Sequence, residues 1–200
     1  LGQTETIPDP QEQYEAVRDL DEANGLTWLP PSPMENTYAF AMGPEATERL
    51  GITTTSEIAG LPPEERTFCL EPEFRSRSDG FGPLLEAYGM PLGSPEGVQP
   101  DQVGIYDIGV VYSETARGSC NFGEVFTTDG RIAALDLTVL EDDRGFFPAY
   151  NAALVVRTDT LEAHPEVGEV LQPISEALSD EALIELNRLV DVEGQDPALV

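Results

Sequence analysis

Lysine is absent from the 200 residues, histidine and tryptophan occur once each, and cysteine twice. Ten basic residues, all arginine, face 38 Asp and Glu, so the formal charge is −28 at pH 7. No basic stripe exists to neutralise phosphates, which excludes nucleic-acid binding. No run approaches about 18 apolar residues, so no stretch reads as a membrane span. No signal-peptide pattern is visible at Leu1. Cys69 and Cys120 lack metal-ligand spacing, and His164 lies far from both, so neither a metal or cofactor site nor a nucleophile–base pair is expected. In an exported protein the two cysteines read as one disulfide, in the cytosol as buried thiols. The acidity reads as a solvated surface tuned for solubility, and its pull on cationic ligands is screened within about 10 Å.

What is present fits a globular, loop-rich chain: 40% hydrophobic residues with 17 Pro and 18 Gly. The length allows one large or two small domains. Alternating strand and helix signals point to an α/β fold. After an opening at Leu1 to Pro10 without a strand signal, Asp9-Pro10 starts a helix that ends near Asn24-Gly25. Leu26 to Leu29 reads as a short strand broken by Pro30-Pro31-Ser32-Pro33, a stiff passage suited to a lobe crossing. Glu35 to Met42 suits a buried strand, and Phe68 to Leu70 another, with a helix through Leu84 to Tyr88 stopping at Gly89. Val103 to Tyr112 is expected to form a strand, and Ser179 to cap a final helix.

The stretch from Val125 to Arg157 carries the densest signals. Thr128-Asp129-Gly130 reads as a turn in which Gly takes left-handed backbone, followed by a strand over Ile132 to Leu140. Ala153 to Val156 is short and apolar, as in a strand buried on both faces. Between them Phe146-Phe147-Pro148-Ala149-Tyr150-Asn151 holds three aromatics, which serve either as a hydrophobic plug or as a ligand wall.

Several segments resemble the substrate-binding proteins of quaternary-amine ABC importers, which take up glycine betaine, choline, carnitine or proline betaine. Asn36-Thr37-Tyr38-Ala39 matches the family's N-T-Y-A, Glu73, Phe74, Arg77, Asp79 and Gly80 its E-F-x-x-R-x-D-G, and Phe126 with Thr128-Asp129-Gly130 its aromatic-plus-T-D-G turn. Leu140 to Asp143 matches L-E-D-D, and Phe147-Pro148-Ala149-Tyr150 matches F-x-P-x-Y, leading to Arg157. The resemblance covers nearly the whole chain. It implies a type II periplasmic-binding-protein fold: two α/β lobes, two crossings, ligand between them. Residues 36–149 would form the second lobe, with residues 1–35 and 150–200 as parts of the first.

The resemblance further implies an aromatic cage from Tyr38, Phe126 and Tyr150, with Asn36 and Arg77 as polar contacts and Arg77 clamping a ligand carboxylate. Phe126 keeps the ring face where a tyrosine is more usual. The implied partners are a quaternary ammonium solute and the importer's membrane permease, and the implied compartment is extracytoplasmic, in the periplasm or on a cell-surface lipoprotein. That compartment favours a Cys69–Cys120 disulfide. Family members carry further segments at both ends, so the chain reads as a fragment. The competing classes are a ligand-sensing or acidic extracellular domain of the same fold, and a carboxylate-dependent hydrolase.

Overall fold

The computed structural model describes residue 7 and residues 9–200. Residues 1–6 and 8, and with them most of the expected opening stretch, lie outside the described residues. The strands are β1 (Leu26–Glu35), β2 (Tyr38–Met42), β3 (Phe68–Leu70), β4 (Val103–Ile105), β5 (Phe122–Phe126), β6 (Thr138–Val139) and β7 (Asn151–Arg157). The α-helices are α1 (Pro10–Glu22), α2 (Pro44–Leu50), α3 (Pro72–Ser76), α4 (Phe81–Ala87), α5 (Ile108–Ala116), α6 (Arg131–Ala134), α7 (Thr158–Ala163), α8 (Glu166–Ala177) and α9 (Asp180–Asn187). A π-helical turn, Arg188–Val192, follows α9.

The strands form two sheets. One has the order β4-β3-β5-β2-β6; the other is the antiparallel pair β1-β7. In the larger sheet β3 runs parallel to β4 and β5, while β2 is antiparallel to β5 and β6. Alternation along β2 divides its core: Phe40 and Met42 join Phe68, Phe74, Phe81, Leu85 and Phe122 on one face. Ala41 joins Tyr112, Val125 and Ile132 on the other. Cys69 and Cys120 form a disulfide whose Cα atoms are 5.8 Å apart, packed against Val111.

Local signals place α1 as expected: Asp9 Oδ1 accepts the Glu12 N–H at 2.9 Å, and Gly25 takes the left-handed conformation beyond its end. Four expectations are corrected. β1 does not break at its prolines but continues through them to Glu35, with register shifts against β7 at Trp28/Pro31 and Pro31/Glu35. A two-stranded sheet leaves each strand an open edge, where a residue without N–H costs no ladder bond. Nor is β7 buried on both faces: none of its residues is fully buried, and Val155 is 41% exposed. From Ile108 the chain is helical, not extended: Val111, Tyr112 and Thr115 recur at helical spacing and turn one buried face of α5 to the sheet. Ile132 to Leu140 is mostly not a strand either. Asp129 Oδ1 accepts the Arg131 N–H at 2.9 Å and starts α6, Asp136 takes a positive φ of 52°, and only Thr138–Val139 pair with β2.

Candidate functional site

Tyr38 opens β2 directly opposite Phe126 on β5. Their ring centroids lie 4.8 Å apart at 40°. Phe74 from α3 stacks on Tyr38 at 5.0 Å and 25°, and Phe147 from the loop after β6 approaches it to 5.8 Å. Four distant segments therefore supply one aromatic wall. Asp142 holds the loop that carries Phe147: its Oδ2 accepts the Phe147 N–H at 2.9 Å and its Oδ1 accepts the Tyr88 hydroxyl. Burial raises the Tyr38 phenol pKa, opposed by the charge of Arg77.

Arg77 follows α3. Its Nε and Nη2 donate to the two carboxylate oxygens of Asp79 at 2.8 and 2.7 Å, and its Nη1 lies 3.7 Å from Glu73. The guanidinium carbon stands 5.7 Å from the centre of the Tyr38 ring. The hydrogen bond from Arg77 holds the Asp79 carboxyl below the usual range. Gly80 closes this segment because a Cβ there would fall 2.2 Å from the Phe74 carbonyl oxygen.

Tyr38, Arg77, Asp79, Phe146, Phe147 and Tyr150 line one cavity of about 220 Å³. A second cavity, about 540 Å³, shares Tyr38 and Phe147 and adds the acids Glu35, Glu141, Asp142 and Asp180. Burial raises the Glu35 pKa. Tyr150, 43% exposed, also borders a third cavity of about 510 Å³ beside Tyr14 and Trp28.

Of the residues singled out from sequence, Tyr38, Arg77 and Tyr150 thus meet around one cavity. Phe126 joins them through its contact with Tyr38. Asn36 stands in the crossing between β1 and β2, where its Oδ1 accepts the Thr128 hydroxyl at 3.0 Å and ties the crossing to the T-D-G turn. Gly130 in that turn has φ −62°, not the left-handed value expected; it is glycine because a Cβ would fall 2.2 Å from the Arg188 nitrogen. Sequence reasoning missed Phe74 as a wall of the site, although the E-F-x-x-R motif contained it. It also missed Glu124, whose signal was one acid inside the apolar strand Phe122–Phe126.

Aromatic faces beside a guanidinium suit a ligand with a diffuse cationic head and an anionic tail. A quaternary ammonium has no N–H to donate, so ring quadrupoles must recognise it, at about 0.5–2 kcal/mol per desolvated face. Among the described residues no group of three or more His, Cys, Asp or Glu could hold a metal ion.

The family model described as the substrate binding domain of ABC-type glycine betaine transport systems matches residues 2–200. A glycine-betaine-binding protein of Pseudomonas aeruginosa is 40% identical over 200 residues, covering 96% of this chain and 62% of that protein. An ergothioneine transport permease/ergothioneine binding protein of Helicobacter pylori is 32% identical, over 98% of this chain and 34% of its own length. The chain therefore spans less than two thirds of these relatives. A crystal structure of a glycine betaine/carnitine/choline ABC transporter superposes with a TM-score of 0.85 at 28% identity, covering 98% of this chain and 69% of that one. The fold shared with such neighbours is that of the type II periplasmic binding proteins.

Proposed function

The chain belongs to the family of substrate-binding domains of ABC-type glycine betaine transport systems, and we propose that the whole protein captures a quaternary ammonium solute for delivery to an importer's permease. The observation that carries this reading is the meeting of Tyr38, Arg77 and Tyr150 around one cavity backed by Phe74, Phe126 and Phe147. The rings take the trimethylammonium head. Arg77, whose Nη1 makes no hydrogen bond among the described residues, takes the carboxylate of a ligand that has one. Asn36 supports the cage by holding the T-D-G turn to the crossing.

The lobes follow the two sheets. Residues 36–149 hold the five-stranded sheet, while residues 1–35 and 150–200 hold β1, β7 and the terminal helices. Ligand enters between them and the lobes close as hinged bodies. The family is one of transport binding proteins, not enzymes; binding without turnover is the proposed activity. An extracytoplasmic setting, in the periplasm or on a lipoprotein, agrees with the family and with the Cys69–Cys120 disulfide. No helix among the described residues is long and apolar enough to cross a membrane. Calorimetric titration of the whole protein with glycine betaine, choline and carnitine tests the reading. Saturable binding of at least one is expected, and silence with all three overturns it.

A further inference from the structure

Glu124 lies in the middle of β5 with no solvent exposure. Strand alternation puts its side chain on the face of Phe122 and Phe126. Phe40 stands opposite it and Tyr38 diagonal to it, at about 7 Å by cross-strand geometry. Its Oε2 accepts the Glu71 N–H at 2.9 Å, while its Oε1 has no hydrogen-bond partner among the described residues. On that face Phe40 and Phe122 belong to a buried cluster that also holds Phe68 and Phe74, a setting in which an apolar side chain would do as well for stability. A carboxyl group kept here at the cost of an unpartnered oxygen points to a use.

The groups that face it are few. Glu71 follows β3, Glu73 belongs to α3, and Tyr38 comes from β2. β3 itself contributes Phe68, the disulfide-bonded Cys69 and Leu70. Burial raises the Glu124 pKa to about 8, with the Glu71 N–H opposing and the charges of Glu71 and Glu73 adding to the rise. The group is therefore a neutral acid at pH 7, and a nearby cation can discharge it.

We propose that Glu124 is a proton-linked positioning residue of the cage: it anchors the Glu71–Asp79 segment that brings Phe74 and Arg77 to Tyr38, and it releases its proton when a cation occupies the site. This rests on the quaternary-amine reading above. In the step, the Glu124 O–H bond breaks, its electron pair stays on the carboxylate, and the proton passes to water or buffer. The cation lowers the pKa of Glu124, so proton release accompanies binding between the bound-state and free-state values. Affinity for a cation rises with pH across that window and levels off above about 8. Choline carries a net positive charge and feels this fully. Glycine betaine brings its own carboxylate and feels less.

The test is calorimetry of the whole protein with choline and with glycine betaine at several pH values, in phosphate and in Tris, whose ionisation heats differ. For the wild type, choline affinity is expected to rise about tenfold through the window, which corresponds to one unit of pKa displacement, with heats that depend on the buffer. Glu124→Gln keeps a carbonyl for the Glu71 N–H and is expected to bind with a flat pH profile and buffer-independent heats. Glu124→Leu loses the anchor as well and is expected to weaken glycine betaine where Glu124→Gln does not. Matching pH profiles in wild type and Glu124→Gln overturn the role of Glu124 alone. Absence of heat with either ligand at every pH removes the reading of the site on which it rests.

Discussion

Arg77 grips Asp79 through two parallel hydrogen bonds of 2.8 and 2.7 Å while its guanidinium carbon stands 5.7 Å from the Tyr38 ring centre. The pair fixes the plane of the guanidinium beside the aromatic wall and leaves Nη1 without a hydrogen bond among the described residues, free for the ligand carboxylate of the proposed function. Arg77→Ala is therefore expected to weaken glycine betaine by about 1.5–3 kcal/mol, the worth of a hydrogen bond to a charged group, and to change choline little. Calorimetry with both ligands decides it. Equal losses would assign Arg77 to holding the loop.

Tyr38 and Tyr150 are expected to part company in stability, not in binding. Either one changed to Ala is expected to lose about 1–3 kcal/mol of ligand affinity, and either one changed to Phe much less, because in the proposed function the cation meets the ring face. Tyr38 also packs against Phe74, Phe126 and Phe147, whereas Tyr150 is 43% exposed. Tyr38→Ala should thus lower the melting temperature as well, and Tyr150→Ala should leave it nearly unchanged. Thermal melts of the ligand-free variants check this.

The disulfide closes a loop with a sequence separation of 51 between Cys69 and Cys120. The loop-entropy relation assigns such a closure about 4 kcal/mol. A Cys69→Ala/Cys120→Ala double variant is expected to lose most of that in denaturant unfolding. An unchanged unfolding midpoint would show that the bond does not constrain the unfolded chain.

Gly130→Ala places a methyl group 2.2 Å from the Arg188 nitrogen, where the π turn after α9 lies on the T-D-G segment. Backbone cannot give way as a flexible side-chain tip can. A loss of about 1–3 kcal/mol is expected, together with faster hydrogen exchange over residues 188–192. Protection unchanged there would mean that the two segments part readily.

The pH dependence of stability carries a signature of Glu124. Its folded-state pKa of about 8 stands above the ordinary 4.5, so in the interval between them the unfolded chain has lost a proton that the folded chain keeps. Its contribution is full below about 4.5, declines as pH rises, and is gone above about 8, a total on the order of a few kcal/mol. Glu124→Gln should remove that decline, and the wild-type minus variant difference in unfolding free energy isolates it from the other acids. A difference that does not vary with pH would contradict the raised value.

Features set by a few neighbouring residues were legible in the sequence. The start of α1 at Asp9-Pro10, the stop of α4 before Gly89 and the Ser179 cap of α9 all formed, because capping is a transaction between residues three or four apart. The order of N-T-Y-A, R-x-D-G, T-D-G and F-x-P-x-Y sufficed to identify the family, and it named three residues that meet at one cavity. Apolar content alone could not separate strand from helix at residues 108–112 or 131–134, where the face turned to the sheet decides. Nor could it carry β1 through its prolines, which requires β7 as an edge partner from the far end of the chain. The place of Phe74 against Tyr38, the need for glycine at position 130 and the anchoring of Glu71 by Glu124 belong to tertiary structure alone. Each depends on a group tens of residues away, whose approach is set by the packing of the sheets and leaves no periodic trace in the local sequence.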